Sequence, residues 1–297
     1  HMKLIVIDDC LAFCGGIDVT AGRWDTHAHL SDDPCRADHN GEIAPPWHDA
    51  TTVMSGPAAA MLSILSRQRW ERAHDRDMDE SFEPSASLWP ESIVADFEDI
   101  DVAISRTFPP EKDRPITAEI EQLYLDSIAA ARDVIYLESQ YFAADSITEA
   151  LRRRLQEPDG PEIVVINPDE AQNIVEDRAM HITRSRMIRS LSDSDPHGRF
   201  VIVYPVNDAG EDIYVHAKIC IFDDRFLRIG SSNIDRRSMG FDTECDVAII
   251  ADRDEDRTRI TQIRDGLLAE HLGVDLVTVQ RAIERQGGLI DAIDSLN

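Results

Sequence analysis

Lysine is nearly absent from this chain. Only Lys3, Lys112 and Lys218 occur among its 297 residues, and the other basic side chains are arginine. Acidic residues number 57 against 30 basic ones, a formal charge of −27. Non-specific nucleic-acid binding draws its affinity from a cationic surface, so this balance excludes it as a leading function. No run of about eighteen apolar residues occurs, which excludes a transmembrane helix. The five cysteines, Cys10, Cys14, Cys35, Cys220 and Cys245, are odd in number and contain no C-x-x-C. That argues against a disulfide framework or a cysteine zinc site and for small buried side chains in a reducing compartment. An acidic, lysine-poor surface suits high ionic strength, where self-repulsion is screened. An ordinary acidic cytosolic protein from a GC-rich genome fits equally.

Two of the three lysines sit in related settings. The stretch YVHAKICIFDDRFLRIGSSNIDRRSMGFDTE contains His216, Lys218 and Asp223 as H-x-K-x-x-x-x-D. Alternation puts Val215, Ala217, Ile219 and Ile221 on one side of a strand and His216, Lys218 and Cys220 on the other. A second strand through Phe226, Leu227 and Ile229 follows an Asp-Asp-Arg turn, and GSSN then offers backbone N–H groups and small hydroxyls. Imidazole, ammonium and turn amides together suit a phosphate group.

The same stretch occurs at the start, HMKLIVIDDCLAFCGGID. It aligns without a gap: His1 with His216, Lys3 with Lys218, Asp8 with Asp223, Gly15 with Gly230 and Asp18 with Asn233. A leading His-Met is also what tag removal leaves, but the ungapped match at Lys3, Asp8 and Gly15 favours a duplicated unit. Two copies facing each other make one site with two histidines and two lysines.

These two motifs, with GGIDVTAGRWDT after the first and GSSNIDRRSMGFDTECDVAI after the second, resemble the phospholipase D superfamily, and more narrowly the phospholipase D enzymes. PPWHDATTVMSGPAAAMLSILSRQRWERA, IYLESQYF and LLAEHLGV extend the resemblance over most of the chain. It implies an α/β fold, a pseudo-twofold pair of α/β/α sandwich domains. In that family a sizeable segment precedes the first motif, so the resemblance implies an incomplete first domain, completed by the preceding segment or by a partner chain. Little or no activity is expected of this chain alone, and equal turnover by a longer form would refute that.

The chain itself reads as an α/β layered domain, with strands at Val102–Ile104, Val134–Leu137, Ile163–Ile166 and Phe200–Tyr204 alternating with helices at Thr117–Arg132, Ser146–Leu155 and Asn173–Ser192. Ala58–Ala73 reads as an amphipathic helix, residues 74–98 as an acidic flexible connection, and 257–272 and 277–285 as outer helices. The proline-rich, charged segment from Phe108 to Asp113 divides the chain into 1–108 and 109–297. His27, His29, His39 and His48 lack any fixed ligand spacing, so no metal site is expected. The segment HLGVDLVTVQRAIERQGG carries too few basic residues for a DNA-reading helix pair.

The resemblance assigns the nucleophile to His1 and the general acid and base to His216. Lys3 and Lys218 neutralise the non-bridging oxygens, with Ser231 and Asn233 as further donors. No metal or other cofactor is expected, because the lysines supply the positive charge. Glu244 is the candidate partner for the His216 ring and Asp25 for His1. Asp8 and Asp223 belong to the catalytic motif yet, lying past the strand, are expected to fix the turn. Asp18 is a supporting residue. Glu138 and Gln140 point into the cleft or serve structure, and Trp24 and Trp47 line a lipid path or the core. The expected function is phospholipase D-type hydrolysis of a phosphatidylcholine-like lipid at a membrane surface, with headgroup exchange. The alternatives are a cardiolipin synthase-like transferase, a superfamily nuclease and a non-catalytic membrane-binding fragment. A cytoplasmic or membrane-peripheral location is expected, with secretion left open.

Overall fold

A computed structural model describes residues 1–20, 22–74, 88–112, 114–169 and 174–297. The centre of the acidic connection expected at 74–98 therefore lies outside the described residues, as does Asn173. The first half holds β1 (Leu4–Ile7), β2 (Leu11–Gly15), β3 (Trp47–His48), β4 (Thr51–Ser55) and α1 (Pro57–His74). Then come β5 (Val102–Phe108), β6 (Thr117–Ala118), α2 (Glu119–Ala130), β7 (Val134–Glu138), β8 (Phe142–Ala143), α3 (Asp145–Gln156), β9 (Glu162–Ile166), α4 (Ile174–Asp193) and β10 (Phe200–Val203). The second motif contributes β11 (Tyr214–Val215), β12 (Ile219–Phe222), β13 (Phe226–Gly230), β14 (Ile234–Asp235), α5 (Arg236–Gly240) and β15 (Glu244–Ile250). Helices α6 (Asp254–Leu272), α7 (Leu276–Gln286) and α8 (Leu289–Leu296) complete the chain.

One eight-stranded sheet runs β10-β9-β7-β12-β13-β15-β5-β6. Its first three strands are parallel and the rest antiparallel. Both faces of its centre are covered. Ile135, Leu137, Ile163, Val165, Cys220 and Phe222 pack with α2, α3 and α4, while Tyr136, Val164, Ile166, Ile219 and Ile221 pack with α6, α7 and α8. Strands buried on both sides read as continuous apolar runs, which is why VIYLE, EIVVI and ICIF carry so few polar residues. The result is an α/β/α sandwich.

The duplication is a structural one. Strands β1 and β2 form a hairpin at the same offset as β12 and β13, and both turns begin with two aspartates at positive φ, Asp8 and Asp9 (49° and 58°) and Asp223 and Asp224 (53° and 50°). Aspartate tolerates this left-handed conformation better than most side chains. In the first half the sheet is β1-β2-β4, with β1 at its edge. Its counterpart β12 is central and pairs with β7.

The halves meet through Ala12 and Cys14 of β2, Leu62 and Leu65 of α1, and Cys245 and Val247 of β15. The sheet also departs from the expected division after residue 108. Strand β5 lies before that point, yet it pairs with β15 from Val102 to Thr107 and so belongs to the large sheet. Antiparallel pairing along six residues outweighs the local proline signal.

Candidate active site

The two motif strands enter the site through a reciprocal exchange between halves. The Met2 N–H donates to the Thr243 carbonyl at 2.7 Å, and the Ala217 N–H donates to the His48 carbonyl at 3.2 Å. The residue after each acceptor is acidic, and each carboxylate takes the other half's histidine. Glu244 lies 3.1 Å from His1 Nδ1, and Asp49 lies 2.7 Å from His216 Nδ1. The sheet register makes these two acids equivalents. Gly15 pairs with Thr51 and Gly230 with Asp246, and each acid stands two residues before that partner.

This geometry corrects two expected pairings. Glu244 orients His1 rather than His216. Asp25 does not reach His1; it accepts from His29 Nδ1 at 2.9 Å, Arg36 at 2.6 Å and the Trp47 N–H at 2.8 Å. Asp49 was missed by sequence reasoning. Its signal was its place before β4, which is readable only once β2 and β4 are in register.

With Nδ1 bound to a carboxylate, each ring keeps Nε2 for chemistry, and the carboxylate fixes the tautomer. The surroundings of the two rings differ. The side chain of His1 is about one-third exposed, whereas that of His216 is buried. Burial, with the Lys218 ammonium next to it, pulls His216 down to about 4 against the opposing pull of Asp49. Trp47 packs 5.0 Å from the His216 ring and stacks on Tyr214 at 4.8 Å, with the Arg23 guanidinium 3.7 Å from its ring centroid.

Both lysines fold back on their own strand, Lys3 Nζ onto the His1 carbonyl at 2.8 Å and Lys218 Nζ onto that of His216. Burial and the charge of Lys3 hold Lys218 down to about 7, although Asp49 and Glu244 oppose this. Lys3 therefore acts electrostatically on Lys218, as the charges of two converging motifs must. Gly16 lies in this contact: a Cβ there would stand 2.3 Å from Asp49 Oδ1 and 3.2 Å from Lys218 Cδ.

Asp18 pairs with Lys3 at 3.4 Å. Ser231 and Ser238 donate to Glu244 at 2.6 and 2.7 Å, so Ser231 faces the carboxylate that holds His1. Asn233 is buried and its Oδ1 has no partner. Such a buried orphan acceptor in the turn after the second motif marks a place where a protonated or hydrated ligand completes the hydrogen bonding.

Asp223 accepts from the backbone N–H groups of Arg132, Asp133 and Val134 at 2.7, 2.7 and 3.0 Å, which ties its turn to the connection between α2 and β7. Asp8 is exposed in the matching turn. Gln140 donates to Tyr214 at 2.8 Å, next to Trp47. Trp24 is exposed and Trp47 buried.

Glu138 bonds other histidines than those of the motifs. It is fully buried and holds His48 at 2.7 Å and His271 at 2.9 Å. Glu270 meets His27, His29 and His48. Burial alone would lower His48, but the carboxylates of Glu138 and Glu270 more than offset it and hold the ring at about 10. Three of the four histidines that lacked any ligand spacing in sequence thus converge. His39 stands apart beside Asp38.

A family model described as "Cardiolipin synthase, PLD-like domain" matches residues 124–263. The chain is 24% identical over 402 aligned positions to phospholipase D alpha 1 of Vigna unguiculata, covering 95% of this chain and 50% of that protein. Against phospholipase D alpha 1 of Arabidopsis thaliana it is 25% identical over 395 positions, covering 92% and 49%. The chain spans about half the length of the curated relatives it matches. The solved phosphatidylserine synthase of Haemophilus influenzae Rd KW20 shares the fold at a TM-score of 0.58 and 13% identity, over 91% of this chain and 62% of that one. Among the described residues no helix is long and apolar enough to cross a membrane. A twofold-repeated histidine–lysine hairpin in an α/β/α sandwich, and an alignment with these relatives along nearly its whole length, make this chain similar to members of the phospholipase D superfamily.

Proposed function

We propose that the site breaks the distal phosphodiester bond of a glycerophospholipid such as phosphatidylcholine, through a covalent phosphohistidine. The observation that carries this reading is the crossed arrangement of carboxylates, which gives each of two histidines a fixed Nδ1 and a reactive Nε2 beside paired lysines. His1 Nε2 attacks phosphorus, and the bond to the headgroup oxygen breaks. That oxygen takes a proton from His216. The negative phosphate raises the His216 pKa from its ligand-free position, which makes the ring a competent acid. In the return step His216 Nε2 takes a proton from water, whose oxygen displaces His1 Nε2 from phosphorus. Lys3 and Lys218 balance the charge on the non-bridging oxygens. An alcohol in place of water gives headgroup exchange.

A second reading, phosphatidyl transfer to another lipid, is favoured by the match to the cardiolipin synthase-like model. It uses the same intermediate and differs in the acceptor. The test is incubation of the full-length protein with labelled phosphatidylcholine and ethanol, in parallel with phosphatidylglycerol alone. Phosphatidylethanol that disappears in His216→Ala supports the first reading, and cardiolipin as the main product supports the second. The absence of any phosphatidyl product would refute both.

A further inference from the structure

We propose that His29, His48 and Glu270, with His27 at the mouth, form a divalent metal site, and that zinc is the ion it fits best. The ligand atoms of the first three lie within 4.8 Å of one another. His48 Nδ1 and His29 Nε2 converge on the same oxygen, Glu270 Oε1, at 2.8 and 3.0 Å. His27 Nδ1 meets the other oxygen, Oε2, at 2.5 Å. Imidazoles with one carboxylate are a zinc ligand set, and tetrahedral bonds near 2.1 Å place ligand atoms about 3.4 Å apart. The His48 and His29 contacts to Oε1 are about half an ångström shorter, as hydrogen bonds are. A cation entering there displaces the shared protons and needs only a small outward shift of three side chains.

A second, independent feature supports a metal over a plain ion-pair cluster. In each inner histidine the nitrogen facing away from Glu270 is held by a different buried carboxylate. His48 Nε2 bonds Glu138 at 2.7 Å, and His29 Nδ1 bonds Asp25 at 2.9 Å. Metal-binding histidines are commonly held this way, because the outer carboxylate fixes ring orientation and strengthens the ligand nitrogen. The neighbouring group of His48, Glu138 and His271 is also compact. It is buried throughout, and Tyr136 occupies Glu138 as well. The His27 side chain, by contrast, is 93% exposed and leaves a way in.

The ligands come from the loop before β3, from β3 itself and from α6. A metal here ties α6 to β3, the strand that ends next to Asp49, and the His48 carbonyl also receives the His216 N–H at 2.8 Å. The site is thus a clamp behind the catalytic carboxylate, and its existence does not depend on the proposed lipid chemistry.

The experiment is Co²⁺ titration of the metal-stripped 297-residue chain in high salt, which screens adventitious binding to the acidic surface. The expected result is one equivalent of Co²⁺ with the visible absorption of a tetrahedral site, displaced by Zn²⁺. His29→Ala should abolish it, Asp25→Asn should weaken it about 10–100-fold, and His39→Ala should leave it unchanged. Should His29→Ala fail to fold, His27→Ala, which removes an exposed ring, carries the decision with an affinity loss of at least about tenfold. No stoichiometric uptake by the folded chain, or the same uptake and spectrum in His27→Ala, overturns the proposal.

Discussion

Replacing Asp49 by asparagine tests the crossed arrangement most directly. The side chain keeps its volume and loses its charge. Asp49 is buried and lies 2.7 Å from His216 Nδ1, so a charge-assisted hydrogen bond is lost in a poorly solvated setting. A bond of that kind contributes about 1.5–3 kcal/mol, or roughly 10–200-fold in rate. The amide also presents an N–H to Nδ1 and so drives the ring proton onto Nε2, the atom that must accept a proton from water. In serine proteases the equivalent change costs about 10⁴ in kcat. We therefore expect kcat to fall by about 10²–10⁴ with KM nearly unchanged. The assay uses a soluble phosphodiester with a nitrophenol leaving group, which departs without a proton. Asp49→Asn should then show a burst of nitrophenol followed by slow turnover, because only the return step needs the base. Asp25→Asn, which touches neither motif histidine, should stay within about tenfold of the parent. Turnover by Asp49→Asn within threefold of the parent, with no burst, refutes the assignment.

Lys218 should impose a pH dependence on stability. Its folded pKa, held to about 7 by burial, lies below the unfolded 10.5, so between these values the unfolded chain binds more protons and stability rises with pH. Over pH 7.5 to 9.5 urea unfolding should show a rise of roughly 2–3 kcal/mol that Lys218→Met lacks; parallel curves for the two proteins would contradict it. Gly230→Ala places a Cβ 1.9 Å from Asp246 Oδ1, a carboxylate that buried Arg228 and Ser232 both hold. It should destabilise by about 3–5 kcal/mol through that ion pair, and a thermal shift equivalent to less than ~1 kcal/mol would count against the geometry. Asp223→Ala removes the acceptor for three backbone N–H groups. It should lose about 2–3 kcal/mol of stability but keep kcat within a few-fold where folded, and a large kcat loss in a stable variant would assign it a chemical role.

The duplication was legible because its residues are local to each copy: a strand, an aspartate turn, a second strand and a small-residue turn at fixed offsets. The layered core was legible for a similar reason, since Ile135, Leu137, Val164 and Ile166 report burial on both faces through composition alone. Boundaries were less so. Pro109 and Pro110 mark a turn, but the ladder joining β5 to β15 carries the sheet across the expected division.

Pairing between halves was not legible at all. Glu244 follows His216 in the chain and was assigned to it, yet it reaches His1, while Asp49 from the first half takes His216. Sequence separation holds no information about which of two symmetric halves a carboxylate faces, because that follows from how the two hairpins dock. The same holds for His29, His48, Glu138 and Glu270, whose spacing resembles no ligand pattern because four separate segments bring them together. Residue types and their repetition were thus decided along the chain, where backbone period and turn chemistry act. Which nitrogen meets which oxygen was decided by packing of the β2 and β15 layers, where burial leaves each charged group only the partner its neighbours bring to it.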